Sequence, residues 1–296
     1  MATSRFKISV FALIAVGALT LSACASPNSP RAVATTPAVA GDQTFAKMVP
    51  RDVSDDGILT FGSDGTYAPN EFVSADGKTM QGMDIDLGTA IAAKLGLIAA
   101  FVNAPFDSII PAIQSGKYEA GISSFTDNKD REKVLDFVTY YSAGTSWAAK
   151  TGSTLTPDTA CGKNVAVQKG TVQVDDITAR SKVCTTAGKA AIKINQYQGQ
   201  QDATATVVSG KNDAMLADSP VTGYAVKTSN GQLQIVGTVY GTAPYGVALP
   251  KAKGQFAKAM QDAINAIIAD GTYMTILDKY GAADGAVTTS VINGAK

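Results

Sequence analysis

Two stretches about ninety residues apart carry the same local design. Ser115-Gly-Lys-Tyr-Glu-Ala-Gly-Ile-Ser-Ser124 and Ser209-Gly-Lys-Asn-Asp-Ala-Met-Leu-Ala-Asp218 agree in character at most positions. Each follows a short amphipathic helical pattern, turns at a glycine and enters an apolar strand. A second unit recurs as well: residues 57–95 and 164–180 both run strand, glycine-bearing loop, helix. Recurrence of such units in this order points to two α/β lobes of related wiring. In open α/β sheets ligands sit beyond the carboxyl ends of strands. Ser123 to Thr126 and Asp218 are therefore where two facing lobes would hold something between them.

Periodicity fills in the remainder. Strands are predicted over 57–63, 97–102, 119–123 and 164–168, and helices over 86–95, 108–115, 175–180 and 254–269. In 86–95, Leu87, Ala90, Ile91 and Leu95 share one face and Gly96 marks the stop; in 254–269 the face is Phe256, Met260, Ile264 and Ile267. Roughly 245 residues follow the N-terminal region, enough for one large domain or two smaller lobes. Lysine plus arginine equals aspartate plus glutamate, 25 each. That balance, with no basic cluster beyond the N-terminus, argues against nucleic acid as a partner.

The N-terminus reads as an export signal. Arg5 and Lys7 precede an uncharged, mostly apolar run over 8–21, which is too short for a bilayer span of eighteen or more residues. Leu21-Ser22-Ala23-Cys24 closes the run and resembles a bacterial lipobox, in which the cysteine is lipidated and becomes the new N-terminus. On that reading residues 1–23 are a lipoprotein signal peptide and acyl chains (palmitate among them) on Cys24 anchor the protein to the membrane. The other reading is an ordinary signal peptide with Cys24 incidental. Residues 24–50, rich in Pro, Ala, Ser and Thr, are expected to form a flexible tether. If Cys24 carries lipid, Cys161 and Cys184 remain as an even pair in an oxidising compartment and are expected to form a disulfide; two free buried thiols are the alternative. Histidine is absent, so a zinc site has few available ligands.

Several motifs in fixed order resemble the polar amino-acid solute-binding proteins, family 3, of bacterial ABC importers. They are Gly62-Ser-Asp-Gly-Thr-Tyr-Ala-Pro69, Gly82-Met-Asp-Ile-Asp-Leu87, Ile109-Ile-Pro-Ala-Ile-Gln-Ser-Gly116 and Ser123-Ser-Phe-Thr followed by Arg131 and Asp136-Phe137. Val165-Ala-Val-Gln-Lys-Gly-Thr171, Asp213-Ala-Met-Leu-Ala-Asp-Ser219 and Ala269-Asp-Gly-Thr-Tyr273 continue the series. The resemblance implies a type II periplasmic-binding-protein-like fold, two α/β lobes joined by two hinge strands and closing around a ligand. Lobe 1 would comprise 51–143 plus 241–296, and lobe 2 residues 144–240. It also implies capture of a polar amino acid on the extracytoplasmic face of the membrane, or in the periplasm, for a transmembrane permease.

A zwitterion needs a cation for its carboxylate and an anion for its ammonium. Arg131 offers a planar fork matched to a carboxylate, and lies near the start of a helix expected over 127–135. A surface arginine is the alternative from the residues alone; the resemblance implies the ligand role. Asp218 ends an apolar strand, where it is either a helix N-cap or, as the resemblance implies, the ammonium partner. Ser124, Thr126 and Thr171 would add donors around the carboxylate. Val172, lacking a hydroxyl, would add only its backbone N–H. Tyr67 and Phe106 match aromatic positions that sandwich the ligand side chain, though core packing would also account for them. Asp64 is either a turn former before Gly65 or an acid for the ligand's distal end; the latter favours basic or amide side chains. Asp84 and Asp86 lack the company of a metal site, and Asp86 reads as a helix cap. No cofactor or metal is expected.

Two rival classes stand beside this one. Some relatives of the family are dehydratases of cyclic acids, but no Ser-His, Cys-His or metal constellation is present, and both clamp residues are retained. A ligand-sensing receptor would need a separate transmembrane partner. The reading is a binding protein, not an enzyme.

Overall fold

A computed structural model describes residues 33–34 and 43–296 of the chain. The expected signal peptide, Cys24 and most of the tether lie outside the described residues. A short strand, β1 (Val33–Ala34), precedes the helical turns α1 (Gln43–Ala46) and α2 (Arg51–Ser54). Phe45, Met48 and Val49 pack on the core of the first lobe. The tether therefore ends before residue 50, because these apolar side chains have a surface to bury against.

The first lobe begins with β2 (Ile58–Ser63), the small sheet β3 (Thr66–Tyr67), β4 (Glu71–Val73) and β5 (Met80–Gln81), and α3 (Met83–Lys94). It continues through β6 (Ile98–Asn103), α4 (Phe106–Gln114), β7 (Ala120–Gly121) and the single turn α5 (Lys129–Glu132). A long strand, β8 (Leu135–Lys150), then leads to β9 (Asn164–Gln168), α6 (Val172–Thr186), β10 (Lys193–Tyr197), α7 (Gln200–Ser209), β11 (Ala214–Asp218) and α8 (Ser219–Thr228). The return strand β12 (Leu233–Pro250) precedes α9 (Phe256–Ala269) and α10 (Thr272–Tyr280).

Sheet order explains how two lobes share one ladder. The strands run β1-β6-β2-β7-β12-β8-β11-β9-β10. β8 and β12 pair antiparallel along most of their length, from Leu135 with Pro250 to Lys150 with Leu233. The register slips between Val236 and Ala243, midway along the pair. On one side of this crossing β2 runs parallel to β6 and β7; on the other, β9 runs parallel to β10 and β11. Each half buries its own core. Leu59, Phe61, Leu87, Ile91, Phe256, Met260 and Ile264 form one, and Trp147, Val165, Val167, Ile177 and Leu216 the other. The α9 face expected from periodicity is the buried face. Cys161 and Cys184 are disulfide-bonded and tie the segment before β9 to the end of α6.

Local boundaries differ in instructive ways. Helix α3 starts at Met83, so Asp86 lies inside its first turn and is not its cap. The first N–H groups of the helix, those of Met83 and Asp84, already donate to Pro69 O and Asn70 O. Asp86 instead accepts from Lys279 Nζ and Tyr280 Oη. The helix expected over 127–135 is only one turn, since Leu135 opens the sixteen-residue strand β8. The ladder expected over 119–123 covers Ala120–Gly121 alone.

Candidate functional site

Strand ends from both lobes converge on one narrow cavity with only about 10 Å³ open to a water-sized molecule, lined by Asp64, Tyr67, Glu71, Phe106, Ser123, Ser124, Thr126, Arg131, Gln168, Thr171, Val172, Gln173 and Asp218. All nine ligand residues expected from the sequence are in this lining. Glu71, Ser123, Gln168 and Gln173 are additions.

Arg131 follows β7 through the loop that carries Phe125 and Thr126. That loop is fixed to β12, with Gly246 N–H donating to Phe125 O at 2.9 Å and Asp127 N–H to Pro244 O at 2.8 Å. Asn128 caps the turn by accepting from Arg131 N–H, so this amide is not free for an anion. The side chain instead lines the cavity. Its guanidinium donates to Thr126 O at 2.8 Å and, across the cleft, to Gly170 O at 3.1 Å. It lies over the rings of Phe106 and Phe125, which stack on each other. Burial lowers its pKa to about 10, so it stays cationic at neutral pH. Behind it the C-terminal segment acts as a buttress: Gly294 N–H donates to Asp127 and Ala295 N–H to Glu132.

Asp218 occupies the N-cap position of α8, but its side chain makes no capping bond. Both oxygens are directed at the cleft. Tyr67 Oη, from the first lobe, donates to Oδ2 at 2.9 Å, and Gln173 Nε2 donates to Oδ1 at 2.7 Å. The Tyr67 oxygen also accepts from Asp218 N–H at 3.1 Å. Burial raises the pKa of Asp218, opposed by these donors and by the Arg131 charge. The buried Tyr245 hydroxyl also faces Asp218: it helps to hold the carboxyl's pKa down, while burial and then the Asp218 charge push the phenol's up.

Asp64 forms the expected turn with one oxygen and lines the cavity. Oδ1 accepts from Thr66 N–H and Oγ1, which closes the turn. Oδ2 accepts from Phe106 N–H at 2.8 Å and, from the second lobe, Gln168 Nε2 at 3.0 Å. Four donors reach this carboxylate, and no ion pair to it is present among the described residues. Its pKa is raised by burial. Ser124 departs from its expected part: its N–H donates to Asp84 and its hydroxyl to Glu71, so its donors face away from a ligand carboxylate. Thr171 Oγ1 likewise donates to Gln168 O. The two lobes meet again at the rim, where Lys169 pairs with Asp107 and Gln198 Nε2 donates to it. A Cβ at Gly170, whose φ is +80°, would come within 2.8 Å of Asp107 Cβ. Glycine is required there for the lobes to come this close.

A cavity between two lobes, reached from strand ends and lined by one guanidinium among several acids, defines a protein that encloses a small polar solute. Residues 59–283 match the bacterial extracellular solute-binding proteins, family 3, and the chain belongs to that family. It is 35% identical over 249 residues to the arginine-binding protein ArgT of Corynebacterium glutamicum, covering 83% of this chain and 81% of that protein. Among solved structures it is similar to an ancestral arginine-binding protein bound to arginine, with TM-score 0.70, 34% identity, and 76% and 98% of the two chains covered. It is similar also to the ancestral amino acid-binding protein AncCDT-1, a precursor of cyclohexadienyl dehydratase. There the TM-score is 0.70, the identity 29%, and the coverage 80% and 99%.

Proposed function

We propose that the protein captures a cationic amino acid, arginine foremost, outside the cytoplasmic membrane and delivers it to the permease of an ABC importer. The observation that carries this reading is the surplus of acids. A neutral-side-chain amino acid brings one negative and one positive group, for which Arg131 and Asp218 suffice. Asp64 is then left buried, with four neutral donors and no cation. A guanidinium or ammonium on the ligand side chain completes it. Relatives described as arginine-binding support the same assignment.

In this scheme Arg131 holds the ligand carboxylate as a bidentate pair, helped by the backbone N–H groups at the start of α6 around Val172. Asp218 takes the ammonium, and the Tyr67 and Phe106 rings flank the side chain. Lobes of 51–143 plus 241–296 and of 144–240 close about the crossing of β8 and β12, where the register slips. A lipidated Cys24 keeps the protein at the membrane. No helix of the described residues is long and apolar enough to cross one. A dehydratase is disfavoured because both zwitterion clamps are in place.

A thermal-shift screen of the amino acids tests the proposal. Ligand at 100 times its dissociation constant adds roughly 2.7 kcal/mol to native-state stability. Arginine and its cationic analogues should give the largest shifts. Shifts with glutamate or aspartate alone would overturn the assignment.

A further inference from the structure

Two acids beneath the cavity have no part in the clamp. Glu71 begins β4 and lines the cavity; Asp84 stands behind it in the first turn of α3, and both are 0% exposed. Their donors can be counted. Ser123 Oγ donates to Glu71 Oε1 at 3.0 Å, and Ser124 Oγ to Oε2 at 3.1 Å. Ser124 N–H and Tyr140 Oη each donate to Asp84 Oδ2 at 2.7 Å. Ser124 Oγ also lies 3.3 Å from that same oxygen, but one hydroxyl proton cannot serve both carboxyl groups. Asp84 Oδ1 is buried without any hydrogen-bond partner.

Asp64, Tyr67, Tyr140 and Tyr141 lie close enough to act on the pair. Arg131 is a cation in the same cavity lining as Glu71, but its guanidinium donates to Thr126 O and Gly170 O, and among the described residues no ion pair reaches either acid. Two carboxylates cannot both stay ionised in such a place. Desolvation and mutual repulsion each favour retaining a proton. Burial, then the charge of Asp84, pushes Glu71 well above the usual carboxylate range, and burial raises Asp84 to about 6.

We propose that Glu71 and Asp84 share one proton at neutral pH, which bridges Glu71 to the unpartnered Asp84 Oδ1, and that a cationic ligand in the cavity expels part of it. Glu71 is then the residue that sets the charge of the cavity floor. The pair also positions Ser124, whose φ of +50° is held by hydrogen bonds from its N–H and its hydroxyl to the two acids. The sign follows from electrostatics. A nearby cation favours the ionised pair, so binding releases a proton to solvent and affinity rises with pH through the pair's titration. Release of half a proton would raise affinity roughly tenfold between pH 6 and pH 8.

The shared proton stands on the geometry of the two acids, whereas its release rests on the cationic-ligand reading. Carboxyl carbon NMR of the ligand-free protein, with Glu71 and Asp84 assigned through their own side-chain carbons, tests the first part. One carboxyl of the pair should remain protonated at pH 7; finding both ionised by pH 6 overturns the proposal. Calorimetry with L-arginine at pH 7, in two buffers of different ionisation heat, tests the second. Wild type should release a measurable fraction of a proton and Glu71→Gln none, because the amide supplies the missing donor without titrating. Equal release from both proteins, or none from wild type, removes the ligand-linked step. An absence of any binding heat would count against the arginine reading, and the carbon titration would still decide the shared proton.

Discussion

Replacing Tyr67 by Phe isolates the contribution of one contact between the lobes. The Tyr67 hydroxyl donates to Asp218 Oδ2 and accepts from Asp218 N–H, joining β3 to the end of β11. The ring is buried, so Tyr67→Phe keeps the apolar packing and removes only the oxygen. A hydrogen bond to a charged acceptor contributes about 1.5–3 kcal/mol. It forms only when the lobes are together, so its loss falls on the closed, ligand-bound state; in the open state water serves both groups. At about 1.4 kcal/mol per tenfold, affinity should fall roughly ten- to hundredfold. Calorimetry with L-arginine reads the affinity, and the melting temperature of ligand-free protein checks the fold. An affinity within twofold of wild type, with melting unchanged, would refute the claim that this contact belongs to closure.

Other expectations follow from the same geometry. Arg131→Ala should cost about 2–5 kcal/mol of binding, at least tenfold in affinity, and Arg131→Lys should be only a partial rescue because an ammonium lacks the fork; calorimetry reads both. Replacing Cys161 and Cys184 by serine should destabilise by roughly 3 kcal/mol on the chain-entropy account, a fall in melting temperature of about 6–12 °C. Unchanged melting would show that closing the 23-residue separation contributes nothing. Cys24→Ser should release the protein from membranes or leave the precursor uncut, which fractionation and the mature mass report.

Local motifs in the sequence proved the most legible part of the site. The loop after β2 and the two echoed strand ends brought Asp64, Tyr67, Arg131 and Asp218 to one cavity, because Asp64 and Asp218 sit at strand ends and Tyr67 and Arg131 lie in the segments that follow such ends. What escaped was pairwise chemistry between distant positions. Gln173 meets Asp218 across 45 residues and Gln168 meets Asp64 across 104, and no short-range pattern encodes such partners. Glu71 follows Pro69 and Asn70 with no pattern around it, and its partners Asp84, Ser123 and Ser124 come from distant segments. Ser124 looked like a ligand donor because its residue type suits that work, yet the buried acids claim both of its donors. The start of α3 was misplaced for a related reason. Its first amides are satisfied by the backbone of the preceding loop, so no side-chain cap marked the boundary in sequence.

The central claim is that the cavity selects positive charge at the far end of an amino acid. L-Citrulline keeps the length and shape of L-arginine and replaces the guanidinium with a neutral urea. Calorimetry of the two ligands on wild-type protein, side by side, isolates that charge. Leaving Asp64 without its cation should cost about 2 kcal/mol or more, so arginine should bind at least thirtyfold tighter than citrulline. Equal affinities, or tighter binding of citrulline, would contradict the account.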